Sequence, residues 1–220
     1  MIPKTIHYCW FGRSPKNELA LKCINTWKAV LPEYEIVEWN EDNFDVNASA
    51  YTREAYRCKR YAFVSDYARL HALKQHGGIY LDTDMEVIKS FNEFLDNKSF
   101  LGYEHPQRAA TCLMGSEKNG ALINDFFDMY SNRAFSKSNT TPNTQILATL
   151  LRCKEITLNG EFIRVPDYTE IYPVDYFVAK VFETGQYCTS DNTYAIHHFN
   201  ASWVTPDMKI RNFIRKIIKG

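Results

Sequence analysis

Two carboxylates one residue apart, Asp82 and Asp84, end a short apolar run in Gly77-Gly78-Ile79-Tyr80-Leu81-Asp82-Thr83-Asp84-Met85-Glu86. In an extended chain, residues i and i+2 share a face, so the pair projects together where the strand gives out. Hard oxygen ligands of this kind hold Mg²⁺ or Mn²⁺ and leave positions open for the oxygens of a diphosphate. Activated sugars carry such a diphosphate, and the segment suggests a metal-dependent site for one. Glu86 joins that face only if the strand continues, and a turn is expected first. Aspartates at strand ends also cap turns. The surrounding order favours a site: a helix with polar residues, a glycine break, a buried strand and then the carboxylates. That is the layout of a ligand site at the C-terminal edge of a parallel strand.

The preceding helix supplies Asp66 and Arg69 at i, i+3. Such a pair can bridge on the helix surface. It can equally point into the pocket, with Arg69 on a phosphate or sugar oxygen and Asp66 on a sugar hydroxyl.

The elements that must position these residues read as α/β. Thr5–Phe11 and Glu35–Trp39 are strands around a helix from Asn17 to Val30, whose buried face draws on Leu19, Leu21, Cys23, Ile24, Trp27 and Val30. This strand–helix–strand opening predicts a parallel sheet. Arg53–Gln75 is helical, as two helices meeting near Ala62, with Phe63, Tyr67, Leu70 and Leu73 on one face. Ile79–Leu81 is apolar on both faces, as in a central strand. Ser99–Glu104 is a further strand, and helices are expected over 119–130 and 144–151. Short strands follow at 155–158, 162–165, 171–172 and 194–199.

With 220 residues and 26 basic against 26 acidic side chains, the chain has room for one full core and no basic field for nucleic acid. The six cysteines, at 9, 23, 58, 112, 153 and 188, form no Cys-x-x-Cys pair, so reduced thiols in a cytoplasmic protein are expected. No run of about 18 apolar residues suggests a membrane span. One domain over 1–220 is expected: a nucleotide-binding half (1–104), an acceptor and closing half (105–203) and a basic C-terminal helix (204–220). In that helix Ile210, Phe213, Ile214, Ile217 and Ile218 oppose Lys209, Arg211, Arg215, Lys216 and Lys219. It suits either an anionic membrane surface or packing on the domain.

Four motifs in order, Ile2-Pro-Lys-x-Ile-His-Tyr-Cys-Trp-Phe-Gly12, Tyr61-Ala-Phe-Val-Ser-Asp-Tyr-Ala-Arg69, Gly77-Gly-Ile-Tyr-Leu-Asp-Thr-Asp84 and Ile196-His-His-Phe-x-x-Ser-Trp203, resemble glycosyltransferase family 32. The resemblance implies a GT-A (Rossmann-like) fold with a mainly parallel central sheet flanked by helices. It also implies a Mn²⁺ or Mg²⁺ ion, a nucleotide-sugar donor and retention of anomeric configuration. By the same resemblance Trp10 stacks on the base, Asp66 and Arg69 meet the donor sugar, Tyr80 lies beside the nucleotide, and Asp82 and Asp84 hold the metal and ribose. Stacking on Trp10 is worth about 1–3 kcal/mol, and the backbone of His7 and Tyr8 is placed to meet the base edge.

Asp84 is expected on the metal directly, with Asp82 shared between metal and ribose. A late histidine completes the metal site in related GT-A enzymes. Adjacent histidines face opposite ways, and His198, which precedes Phe199, is expected there, with His197 in the core. Ser202 and Trp203 resemble the pair that closes over the diphosphate in toxin relatives, although Ala201 stands where many members have glycine. In Thr141-Pro142-Asn143-Thr144-Gln145, either Asn143 or Thr144 caps the next helix, or Asn143 or Gln145 places an amide against the sugar. A UDP-sugar is the expected donor, then GDP-mannose. The acceptor is expected to be a glycan or lipid-linked glycan of surface polysaccharide, met by loops at 105–118 and 131–142. Peripheral contact at the inner membrane face would run through 208–219. A sugar-nucleotide-binding protein without transfer, and a nucleotide-sugar hydrolase, are the competing functions.

Overall fold

A computed structural model describes residues 1–131, 133–137, 141–182 and 184–200. Ser202, Trp203 and the 208–219 segment lie outside the described residues.

The expected α/β fold is borne out. The chain opens with β1 (Thr5–Cys9), α1 (Glu18–Val30) and β2 (Glu35–Trp39), then α2 (Ala50–Arg57), α3 (Tyr61–His76) and β3 (Gly78–Leu81). β4 (Met85–Val87), a 3-10 turn at Asn92–Phe94, β5 (Ser99–His105) and β6 (Arg108–Ser116) follow. The remainder is α4 (Ala121–Ser131), α5 (Asn143–Cys153), β7 (Ile163–Val165), β8 (Thr169–Tyr172), α6 (Val174–Phe177) and β9 (Ala195–His197). Seven strands form one sheet in the order β2-β1-β3-β6-β5-β8-β7, and β4 pairs β9 in a separate two-stranded ribbon. β2, β1 and β3 run parallel, the pairs β3/β6 and β6/β5 are antiparallel, β5/β8 is parallel and β8/β7 antiparallel.

Alternation along the strands builds a core on each face. Tyr80 faces α3 with Cys9 and Met114, whereas Ile79 and Leu81 face α1 with Ile6, Tyr8 and Trp27. The side chain of Asn17 caps α1 by accepting from the Ala20 N–H. α1 buries Ala20, Cys23, Ile24 and Trp27, while Leu21 is half exposed. The expected break between two helices falls at 58–60, where Lys59 takes φ 55°. α3 buries Phe63, Tyr67, Leu70 and Leu73 as expected, and Asp66 and Arg69 with them.

The chain differs from expectation in two segments. Residues 105–118 are mainly β6, an interior strand rather than an acceptor loop. Its Ala109, Ala110 and Gly115 carry weak strand propensity, and at Gly115 a side chain would meet the ring of Phe100 directly. Residues 155–158 form no strand. The Ile156 and Glu155 amides turn back onto the Leu151 and Arg152 carbonyls, closing the end of α5 with Glu155 at φ 59°.

Candidate active site

The carboxylate pair does not continue β3. That strand stops at Leu81, and Asp82–Asp84 form a turn in which the Met85 N–H donates to the Asp82 carbonyl at 3.0 Å. A turn, not strand alternation, brings the two aspartates together. β9 then lies antiparallel to β4 with His197 opposite Met85. One carboxylate oxygen each from Asp82 and Asp84 and one imidazole nitrogen of His197 fall within 4.8 Å of one another.

This corrects the expected histidine. His197 Nε2 stands 3.3 Å from Asp84 Oδ1, whereas His198 Nε2 lies 2.7 Å from Glu86 Oε2. The register of β9 on β4 decides which of the two adjacent rings faces the aspartates. The His198 N–H donates to the Asp84 carbonyl at 3.0 Å, and the Asn200 N–H donates to Asp84 Oδ2 at 2.8 Å. The ring of Phe199 packs on His197 with centroids 4.0 Å apart.

Behind the cluster lies a buried charge network. Arg69 donates to the Thr111 carbonyl at 2.8 Å, reaches Asp66 at 3.0 Å and Asp82 at 3.3 Å, and lies over the Tyr80 ring at 4.4 Å. Tyr80 donates to Asp82 Oδ1 at 2.8 Å, and Asn143 Nδ2 donates to Asp66 Oδ1 at 2.6 Å. Asp66 and Arg69 are thus no surface pair. Arg69 is a guanidinium bridge that ties the α3 carboxylate to the turn carboxylate.

Burial above all, with the charge of Asp82 against that of Arg69, pushes the Asp66 carboxyl up to about 7. Burial also raises Asp82, which Arg69 opposes. Partial burial pushes Asp84 up as well, but the His197 side chain and the Asn200 N–H hold it below the usual carboxylate range. Burial disfavours charge on His197, yet neighbouring Cys112 and Asp84 raise its proton affinity well above normal. Asp84 is therefore the readily ionised member of the pair.

The donor set fits a divalent ion. Two carboxylates and an imidazole suit Mn²⁺ better than Mg²⁺, and His197 turns its Nε2 towards the pair, 3.3 Å from Asp84 Oδ1. Two aspartates would concentrate negative charge here that a cation would balance.

Other expected positions fare differently. Trp10 is half-buried at the end of β1, its Nε1 donating to the Ser14 carbonyl at 2.6 Å and Lys16 Nζ 5.8 Å from its ring. The side chain of His7 is committed inside the fold. It is buried in an interior strand paired on both sides, with Nε2 2.8 Å from the Gly77 carbonyl and Nδ1 accepting from Trp39 Nε1 at 3.1 Å. Tyr8 is likewise inside, donating to Glu38 at 2.5 Å. Tyr80 is 1% exposed and supports Asp82 from below instead of flanking a nucleotide. Asn143 enters the network, whereas Gln145 is exposed, its main-chain groups bonding Pro142 and Thr149. Sequence reasoning missed the Thr111 carbonyl and the Asn200 N–H, for which main-chain groups leave no signal in residue type.

A mixed α/β sheet with this aspartate pair at the end of β3 is a GT-A fold, shared with the solved structures described below. Residues 17–101, which hold Asp66, Arg69, Asp82 and Asp84, match the family described as glycosyltransferase sugar-binding region containing DXD motif. The expected resemblance to glycosyltransferase family 32 is borne out as a similarity carried by that segment.

An uncharacterised glycosyltransferase of Acanthamoeba polyphaga mimivirus is 31% identical over 155 residues, 66% of this chain and 61% of that protein. Inositol phosphoceramide mannosyltransferase 3 of Schizosaccharomyces pombe is 25% identical over 133 residues, 56% of this chain and 35% of the relative. The chain therefore spans less than two thirds of either relative. Among solved structures, the PaToxG glycosyltransferase superposes with a TM-score of 0.54 at 19% identity, covering 70% of this chain and 69% of that one. A glycosyltransferase involved in glycosylation of the major capsid of PBCV-1 does so with 0.51 at 12% identity, covering 94% and 98%. At these identities the two structures speak to fold alone.

Proposed function

We propose that the protein moves a hexose from a nucleotide diphosphate sugar, UDP-linked first and GDP-mannose second, to a glycan or lipid-linked glycan acceptor, with retention of configuration. The observation that carries this is the convergence of Asp82, Asp84 and His197 directly in front of the buried Asp66–Arg69–Asn143 network. A Mn²⁺ ion held by Asp82, Asp84 and His197 would neutralise charge on the leaving nucleoside diphosphate.

The chain's own residues do the rest. Arg69 fixes the separation of Asp66 and Asp82, and Tyr80 and Thr111 fix Arg69. Asp66, close to half-protonated near neutral pH, can accept from or donate to a sugar hydroxyl, and Asn143 orients it. Trp10, at the end of the strand next to β3, offers the base a ring face. Synthesis of surface polysaccharide at the cytoplasmic membrane face is the setting proposed. The structure contains no helix, among the described residues, long and apolar enough to cross a membrane.

Asp84→Asn tests the site. Mn²⁺-dependent turnover of a nucleotide-sugar panel should fall at least a hundredfold while the thermal unfolding midpoint holds within a few degrees. Full turnover in that variant removes the metal-dependent reading.

A further inference from the structure

We propose that a pocket beside Asp66, lined by Tyr51, Phe63, Arg133, Phe135 and Thr141, receives the acceptor sugar and holds an anionic group of it, a carboxylate or a phosphate, on Arg133. This rests on the transferase function proposed above.

The pocket is continuous with the catalytic centre through two elements. Phe63 lies one turn before Asp66 on α3, so both look out from one side of that helix. Thr141 lies two residues before Asn143, whose amide holds Asp66 at 2.6 Å. A ligand seated here therefore lies next to the elements that carry Asp66 and Asn143. The pocket volume is about 160 Å³, close to the cavity of about 150 Å³ that accepts a benzene ring, so it has room for a single ring-sized group.

The lining combines two chemistries. Phe135 meets Tyr51 edge to face at 5.8 Å and Phe63 at 5.3 Å; mutually packed rings form a stiff wall suited to a sugar's C–H face. Arg133 is half-buried next to that wall and, among the described residues, has no carboxylate partner. A guanidinium drawn partly out of water is costly unless an anion meets it, and its planar fork matches carboxylate or phosphate. Asp66 cannot serve, since Arg69 and Asn143 occupy it. Burial above all raises the Tyr51 phenol, with Asp66 adding and Arg133 and Arg69 opposing, so the wall of the pocket is near charges of both signs. An anionic sugar in the pocket would have its charge at the Arg133 end and a hydroxyl at the Asp66 end.

Binding of three probes, methyl glucuronide, glucose 1-phosphate and neutral methyl glucoside, measured by saturation-transfer NMR and calorimetry with Mn²⁺ and UDP present, tests this. At least one anionic probe should bind at least tenfold more tightly than the neutral one; which anion does so assigns carboxylate or phosphate. Arg133→Gln should weaken that binding about tenfold to a hundredfold, and Arg133→Lys less, with UDP binding and the unfolding midpoint unchanged in both. Equal binding of the neutral glucoside, failure of all three probes, or an Arg133→Gln protein that binds the anion as before overturns the proposal. The two readings fail separately. Wild-type protein that binds no UDP with Mn²⁺ refutes the transferase, whereas intact UDP binding without anion preference refutes the acceptor pocket.

Discussion

Replacing Asp66 by Asn probes the buried network directly, because its predicted effect depends on pH in a way few surface changes would. Burial, then the charge of Asp82 set against that of Arg69, lifts the Asp66 carboxyl from 3.8 to about 7. A raised native pKa means that the folded state binds the proton more tightly than the unfolded chain. The stability Asp66 contributes is then fully present below about pH 4, is lost as pH rises towards 7, and is level above that. Each pH unit well inside the window is worth about 1.4 kcal/mol, tapering near pH 7, so from pH 5 to pH 7 the wild type gives up roughly 2 kcal/mol at this residue. Asn stays neutral throughout and keeps an Oδ1 acceptor for Asn143 and Arg69, which reach Asp66 at 2.6 Å and 3.0 Å.

The assay is urea unfolding of both proteins with EDTA at pH 5, 6, 7 and 8, with equal m-values required. The variant's stability relative to wild type should rise by up to about 1.4 kcal/mol per unit from pH 5 to 7 and then flatten. Donor turnover should nonetheless fall at least tenfold, since an amide cannot exchange a proton with a sugar hydroxyl. A difference that does not change across pH 5–7 would show that Arg69 already keeps Asp66 ionised, and the account of the network would be wrong.

Three further perturbations separate positions that the sequence alone could not rank. His197→Ala should weaken Mn²⁺ binding at least tenfold and His198→Ala much less, by calorimetric titration; the reverse order would restore the histidine expected from the motif. Gly78→Ala should lower the unfolding midpoint by several degrees, because φ is +103° and the new Cβ would sit 2.6 Å from the Thr5 carbonyl and 3.0 Å from His7 Nε2, a strain of about 1–3 kcal/mol; an unchanged midpoint refutes it. Trp10→Ala should weaken UDP binding by roughly tenfold or more at equal stability, in line with a stacking worth about 1–3 kcal/mol, and unchanged affinity would discard the stacking role.

The parallel opening of the fold was legible because its strands and helices differ in period and its breaks carry glycine: β1, α1, β2, α3 and β3 stand where residue patterns put them. β6 was not, since its small residues carry weak strand propensity and the need for glycine at 115 shows only once the Phe100 ring is seen against it. The site divides in the same way. Asp82 and Asp84 are visible in sequence as a pair, but the turn that joins them is not.

The choice between His197 and His198 depends on a quantity that no local pattern contains. Alternation says only that the two rings face opposite sides of a strand; a one-residue slip of β9 on β4 would exchange them. The phase is set by three long-range ties: the Trp27 indole donating to the Met85 carbonyl at 2.7 Å, the His197 N–H donating to the Val178 carbonyl at 2.9 Å, and the Asn200 N–H on Asp84. Each joins segments far apart in the chain, and two of the three are main chain on the β9 side. Affinity for a metal ion at this centre would therefore depend on Trp27 and on the segment around β9 as well as on Asp82, Asp84 and His197, through the one register that turns His197 towards Asp84.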